Sequence, residues 1–406
     1  MTKLTKILIF ATIFLIPTYL IRFSIFGIPT NILEILIYLA FISWILEKQK
    51  VNWKELLLEY KLYIISILLV FLGLILSTLI NKNYQAGFGI IKGWFFDPLL
   101  FSFILVQKTK DQKDIENILK TLYFSAFTVT RVALEYFFYG HFTYDGRLEA
   151  FWSSPNYLAM FLAPSVFIGA WIIKQGIWSN MKKIILSFSL LILIFIIFLT
   201  FSYATWIAIL FSLLLVLFLT KNLSRKFIII SSLIIFIAFL TQINNPKLKN
   251  IFSERSSFES RIIIWKSSAL MLRNNFIFGI GPGNFQNKYL EYQKYFPPYL
   301  EWAVPQPHNL YLAFWLQGGI AGLSGFILLI FYWLKKTIRA VGSNQKNSAV
   351  LAVLLGIIIY ILLHGLFDTT YWKNDFSLIF WIIFFSGLLS LKIYSVKLSA
   401  SFIDKK

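Results

Sequence analysis

The sequence predicts an all-α polytopic membrane protein, and three observations carry that reading. Of 406 residues, 58% are hydrophobic and only 14% are charged, against about 25% charged in an ordinary soluble domain. Apolar stretches of about 20 residues, the length that crosses a bilayer as a helix, recur about twelve times. Lys and Arg outnumber Asp and Glu by 38 to 18, and in a multi-pass protein such an excess marks cytoplasmic loops. The combination excludes other classes. A basic nucleic-acid binder is not this apolar, and a disordered basic chain would not carry 43 Phe. A soluble enzyme of this length has no room to hide so much apolar surface. Cysteine is absent, so disulfides, thiolate nucleophiles and zinc–thiolate sites are excluded.

The expected spans lie near 5–22, 28–46, 62–80, 90–106, 117–138, 157–173, 184–201, 205–220, 227–242, 309–334, 348–364 and 377–394. The first follows Lys3 and Lys6 as a signal peptide would. It runs on to about Ile21 without a small-x-small cleavage site, so a retained helix is expected. The fourth contains Asp97 and Pro98. The fifth contains Arg131 and Glu135, four apart on one helix face, where they neutralise each other or line a polar cavity. With the N-terminus inside, 24 of the 38 basic residues fall in inner segments. Short outer segments hold only 5, namely Arg22, Lys82, Lys92, Arg147 and Lys373. Both termini are therefore expected in the cytoplasm. The chain then divides into nine transmembrane helices (1–242), a large extracytoplasmic loop (243–308) and three further helices (309–406). The loop is the one long connection, and long connections are often functional. Residues 258–274 within it have an amphipathic helical pattern. A Gly/Pro turn follows at 279–285, and then a run rich in aromatics and prolines.

All three histidines, His141, His308 and His364, fall on the expected outer side. His308 opens the tenth span beside Asn309; it is either a polar anchor at the interface or a general base. Arg261 and Trp265 lie four apart on the loop helix. They suit a diphosphate under an apolar lid, or an interfacial helix with Trp and Arg at the headgroups. Arg147 is the sole basic residue in its outer connection, a solvated charge or a second anion contact. Asp368 and Asp375 in the last outer connection read as solvated charges, as residues that order the loop, or as contacts to a hydroxylated substrate. Gly279, Gly281 and Gly283 do not fit a dinucleotide fingerprint, and no P-loop lysine follows. No acidic cluster has a metal-ligand spacing; Asp145 and Glu149 are the closest pair. No serine elbow is present. The inventory points to His and Arg chemistry with no metal and no cofactor.

Taken together, these motifs resemble the O-antigen ligase family of membrane glycosyltransferases, which also includes O-antigen polymerases and protein O-oligosaccharyltransferases. An R-x-x-x-W element (Arg261, Trp265) precedes a G-x-G-x-x-x-F element (Gly279, Gly281, Phe285). His308-Asn309 follows, and nine residues later comes G-x-x-G (Gly319, Gly322). An upstream element (Arg147, Pro155, Asn156, Leu158, Ala159) is also similar. One departure stands out: many members carry Ser-Arg after the seventh span, and this chain carries Ser202-Tyr203.

The resemblance implies a GT-C-like fold and an inverting, metal-independent transfer at the outer face of the cytoplasmic membrane. The donor would be a glycan on polyprenyl (undecaprenyl) diphosphate, whose diphosphate Arg261 and Arg147 hold. His308 would take the proton of the acceptor hydroxyl. Asn309 would orient His308, Trp265 would pack against the lipid chain or a sugar face, and Asn156, Gly319 and Gly322 would support the site. The acceptor would be a lipid A core sugar in lipopolysaccharide, another lipid-linked glycan, or a protein hydroxyl, according to subfamily. Membrane lipids are the other expected partners, and nucleic acid is not one. A transporter is the rival of a different class. It would spread ionisable residues through several spans, whereas here they are few, among them Asp97, Arg131 and Glu135.

Overall fold

The computed structural model describes residues 2–175, 178–222, 224, 240–241, 257–301, 304–342 and 348–403. Helix dominates them. The first helix, α1 (Thr2–Phe14), is shorter than the expected span. Pro17 opens a 3-10 turn over Ile16–Leu20, because its ring and missing N–H interrupt the α-helical ladder. A small antiparallel hairpin follows, Arg22–Ile25 with Ile28–Asn31. The all-α expectation did not include it. Phe26 and Gly27, both at positive φ, turn it, as tight hairpin loops require.

The helices then follow in order: α2 (Ile32–Leu46), α3 (Trp53–Glu59), α4 (Lys61–Asn81), α5 (Tyr84–Ile90), α6 (Asp97–Lys108), α7 (Gln112–Phe138), α8 (Pro155–Lys174), α9 (Asn180–Leu199), α10 (Tyr203–Leu219), α11 (Ser257–Asn274), α12 (Phe285–Tyr292), α13 (Leu310–Gly342), α14 (Ser348–His364) and α15 (Asn374–Ile403). A π-helical turn, Ile91–Phe96, joins α5 to α6 in one continuous span of 25 residues. Among the described residues, 6 helices are long and apolar enough to cross a membrane: Lys61–Asn81, Tyr84–Lys108, Pro155–Lys174, Asn180–Leu199, Leu310–Gly342 and Asn374–Ile393. Shorter apolar helices are Ile32–Leu46, Tyr203–Leu219 and Ala349–His364. This is the make-up of a multi-pass membrane protein. The expected ninth span, 227–242, and the start of the long loop lie outside the described residues, save Leu240 and Thr241.

The connections gather alternately at two ends of the bundle. At one end Lys6 pairs with Asp114 at 2.9 Å, Lys392 with Glu59 at 2.7 Å, and buried Lys108 with Glu47. At the other, Trp152 Nε1 donates to the Tyr19 hydroxyl at 3.0 Å, and the Leu148 amide donates to the Leu199 carbonyl at 3.0 Å. There too the Leu310 amide reaches the Gly365 carbonyl at 2.7 Å, and Asn83 Nδ2 reaches the Pro282 carbonyl at 3.3 Å. The segments that the topology puts outside therefore meet one another at this second end, called here the site end.

The described part of the long loop is folded against the helices. Ile264, Met271, Leu272, Ile280, Phe285, Tyr289, Val304 and Leu316 form an apolar cluster of their own. The expected tenth span is not one straight helix: α13 breaks at Gly319, which takes φ +62°. The turn 275–284 fills the break. The Ile320 amide donates to the Ile277 carbonyl at 3.0 Å, and the Ile280 amide donates to the Leu316 carbonyl at 2.6 Å. Backbone groups freed by the break are thus paired inside the protein, the condition for irregular backbone in a membrane span. A Cβ on Gly319 would meet the Ile277 carbonyl oxygen at 2.1 Å, and one on Gly279 would meet the Leu316 oxygen at 2.3 Å. Beyond the break, α13 packs closely on α4, where Gly73 faces Gly318 and Gly322 across bare backbone, the small-residue contact that lets membrane helices approach.

Candidate active site

Four connections bring polar side chains together at the site end. Ser154 accepts from the Asn156 amide and begins α8. Asn309 begins α13: its Oδ1 accepts from the amides of Tyr311 and Leu312, both at 3.0 Å, which satisfies donors that a helix start leaves open. Its Nδ2 donates to the Leu366 carbonyl at 3.0 Å. Asn309 therefore ties α13 to the connection 365–373 and makes no hydrogen bond to His308. The expectation that it orients the imidazole directly gives way to an indirect role, because the cap claims its side chain.

His308 itself sits at φ +47°, a left-handed conformation uncommon outside glycine. Trp265 braces it from α11, since its Nε1 donates to the Pro307 carbonyl at 3.1 Å. The ring nitrogen Nδ1 of His308 lies 3.1 Å from Oδ1 of Asp368. Asp368 is buried, and its Oδ1 also accepts from the Thr369 amide at 2.9 Å. Its other oxygen accepts from Asn156 Nδ2 at 3.2 Å. Asn156 Oδ1 in turn accepts from Arg147 Nη2 at 2.6 Å. The result is a chain running His308–Asp368–Asn156–Arg147.

Arg147 is largely buried rather than solvated, its side chain 12% exposed. Its Nε donates to the Thr200 carbonyl at 2.7 Å, and Asp145 lies 3.9 Å from Nη1. Arg261 is anchored in the same way: Nε donates to the Phe367 carbonyl at 3.0 Å and Nη1 to the Ser257 carbonyl at 3.1 Å. Backbone carbonyls thus fix both guanidiniums and leave only part of each fork for a ligand. The two arginines are close enough to influence each other. Burial pulls Arg147 below its ordinary pKa, and the Arg261 charge adds to this against Asp145. Burial pushes the Asp368 carboxyl up, but His308 and Arg261 outweigh it and hold that carboxyl well below the usual carboxylate range. In a neutral imidazole, an ionised Asp368 makes His308 Nδ1 the donor, and Nε2 then carries the lone pair, the base-competent tautomer.

Reading Asp368, Asp375 and Arg147 as solvated loop charges is overturned, since all three side chains are buried or nearly so. Asp368 is the functional residue that local sequence reasoning placed least well. Its partner is 60 positions away, and no spacing announces the contact. Gly319 and Gly322 make no polar side-chain contribution; they serve the break and the α4 contact. Arg131 and Glu135 form an exposed pair at 3.6 Å, remote from this network in the contacts they make. Tyr203, at the position where family members carry arginine, lies within electrostatic range of Arg147. Among the described residues, no group of three or more His, Asp or Glu is placed to hold a metal ion.

No curated protein matches the chain. Residues 188–327 match a family model described as O-antigen ligase. The match contains Arg261, Trp265, His308, Asn309, Gly319 and Gly322, while Arg147, Asn156 and Asp368 join the same network from outside it. Over this segment the chain is similar to the O-antigen ligase family.

Proposed function

We propose that this protein is a glycosyltransferase of surface polysaccharide assembly, with His308 as its general base. A glycan on polyprenyl diphosphate is the donor and a hydroxyl group the acceptor. The observation that carries the reading is the His308–Asp368 pair, tied through Asn156 to Arg147 and flanked by Arg261. It puts a proton acceptor and two fixed cations in one place.

The acceptor oxygen attacks the anomeric carbon from the face opposite the leaving group. The new C–O bond forms as the bond to the diphosphate breaks, so configuration inverts. The diphosphate departs with the electron pair, and His308 Nε2 takes the hydroxyl proton. Asp368 stabilises the imidazolium that results. Arg147 and Arg261 offset the charge that develops on the diphosphate, electrostatic work that preorganised donors do at little reorganisation cost. Because Tyr203 replaces an arginine beside Arg147, this chain relies on two cations here. Trp265 holds the His308 segment. The donor lipid approaches from the bilayer at the site end, expected to be the outer face of the cytoplasmic membrane.

The test uses membranes containing the full chain, fed with a polyprenyl diphosphate-linked glycan and an acceptor. His308→Ala is expected to abolish transfer while the protein still accumulates in the membrane. Normal transfer by that variant would remove His308 from the mechanism. Supplying a lipid A core, a second lipid-linked glycan or an acceptor protein in parallel separates ligase, polymerase and protein oligosaccharyltransferase.

A further inference from the structure

The short connections at the site end carry few basic residues, and their partners differ. Lys92 is neutralised by Glu34 and Asp97. Arg147 belongs to the network above. Arg22 and Lys373, distant in sequence, meet on a single ring. The Arg22 guanidinium lies 6.0 Å from the Tyr19 ring centroid and the Lys373 ammonium 5.8 Å from it. Lys373 is also 3.4 Å from the Tyr157 centroid and 6.0 Å from that of Phe376. Three aromatic rings therefore cage the ammonium, an arrangement that stabilises a cation without neutralising it.

Among the described residues, neither cation has a carboxylate within ion-pair distance. Asp375 and Asp368 act on Lys373 only from further off. Burial lowers the pKa of Lys373; the Asp375 charge opposes this, and the Arg22 charge, a smaller effect, adds to it. Two like charges that share one ring and act on each other are an arrangement that an anion would relieve. The cage is also rigid: Tyr19 is fully buried, and its hydroxyl accepts from Trp152. Arg22, at the start of the hairpin, is exposed, so an anion can reach the pair. Tyr157 directly follows Asn156, so the cage adjoins the His308–Asp368 network.

We propose that Arg22 and Lys373 form an anion subsite that recognises a carboxylate or phosphate group on a sugar of the glycan handled at this site. It is distinct from the cations assigned to the diphosphate, Arg147 and Arg261. Because it rests on the transferase reading for its biological ligand, its test is a binding measurement without turnover.

The full chain is placed in nanodiscs of neutral phosphatidylcholine, and binding of D-glucuronate and D-glucose is titrated by calorimetry. Glucuronate is expected to bind saturably and glucose not. Arg22→Gln and Lys373→Met are each expected to weaken glucuronate binding by about tenfold or more, as loss of one charge-assisted contact implies. Lys373→Arg should retain it. Arg22 is exposed, so its variant keeps the test intact if Lys373→Met fails to fold. Equal binding of the two sugars, or no change in either Arg22→Gln or Lys373→Met, overturns the proposal. Loss of glucuronate binding when the nanodisc is changed to phosphatidylglycerol also overturns it, by giving the cations to a lipid headgroup. Inorganic pyrophosphate is titrated alongside on the natural chain and on Arg261→Gln; a loss of its binding there with glucuronate binding unchanged reports on the diphosphate cations separately, so the two readings fail independently.

Discussion

His308 lies just before the start of α13 and Gly319 at its break, and both neighbourhoods carry residues of the family pattern. They are held together by different means. Around His308 side chain meets side chain, in the series His308, Asp368, Asn156 and Arg147. Around Gly319 backbone meets backbone, with the turn 275–284 seated in the helix break and no side chain to substitute for the contact. On the proposed function, residues of one motif set thus serve two ends, proton and charge handling in the first region and shape in the second. Substitutions should separate them: the first region should lose transfer and keep the fold, and the second should lose the fold.

The largest expected effects are a matched pair. His308→Ala should lower transfer by roughly 100- to 10,000-fold, the range a general base contributes, while the protein still accumulates and its unfolding midpoint in nanodiscs falls only by the loss of the Asp368 contact. Gly319→Ala should fail differently. Its Cβ would meet a carbonyl oxygen at 2.1 Å, and positive φ adds strain of about 1–3 kcal/mol. The protein should accumulate poorly or unfold at lower temperature. If Gly319→Ala folded normally but lost transfer, the division of labour between the two regions would be wrong.

Asp368→Asn comes next. The amide keeps the shape but removes the charge that stabilises the imidazolium, so a loss of about 100-fold in kcat is expected. Rescue by Asp368→Glu would count against the burial and short contacts that define this position. Arg261→Lys should cost roughly tenfold in transfer, because a lysine cannot hold both carbonyl anchors and a ligand at once. The readout is transfer at saturating and limiting donor; a change confined to acceptor dependence would sink the diphosphate role. Asn309→Ala should act through stability instead. Loss of a helix cap costs about 1 kcal/mol, which should appear as a lower unfolding midpoint with most transfer retained.

The contrast also explains what could be read from the chain alone. The amphipathic period of residues 258–274 predicted the helix found at Ser257–Asn274, because periodicity is a local signal. The clustering of expected outer connections at one end followed from charge counting, and the structure gathers them at the site end. The break at Gly319 was hidden inside an apolar run, since a glycine in a membrane helix is ordinary and only the docked turn makes it a break. Pro17 was visible, but the apolar residues around it extended the expected first span past the point where the helix stops. Asp368 looked like a solvated charge because burial is decided by α13 and α8, elements remote in sequence. The Arg22–Lys373 pairing was invisible for the same reason: Tyr19, Tyr157 and Phe376 come from three separated segments. Long-range pairing of polar groups carries no periodic signature, whereas hydrophobic and basic patterning does.

The smallest expected effect is on pH, and it tests whether Asp368 works as an ionised partner. Its carboxyl is held below the usual range in the folded protein; its unfolded value is about 3.9. For a depressed carboxylate, the stabilising contribution is present above the unfolded value and is lost as pH falls below it toward the folded one. The gap in unfolding midpoint between the natural chain and Asp368→Asn should therefore stay level from about pH 8 to about pH 5, and should close only in stronger acid. A gap that closed between about pH 7 and about pH 5 would mean that Asp368 itself takes up its proton in that window, so its carboxyl is not held low. Asp368 would then not be the ionised partner of His308, and the side-chain network would need a different proton inventory even if its geometry stood. The Gly319 region has no titrating group of its own in the break, so the midpoint gap for Gly319→Ala should be level through the same range and serves as the internal control.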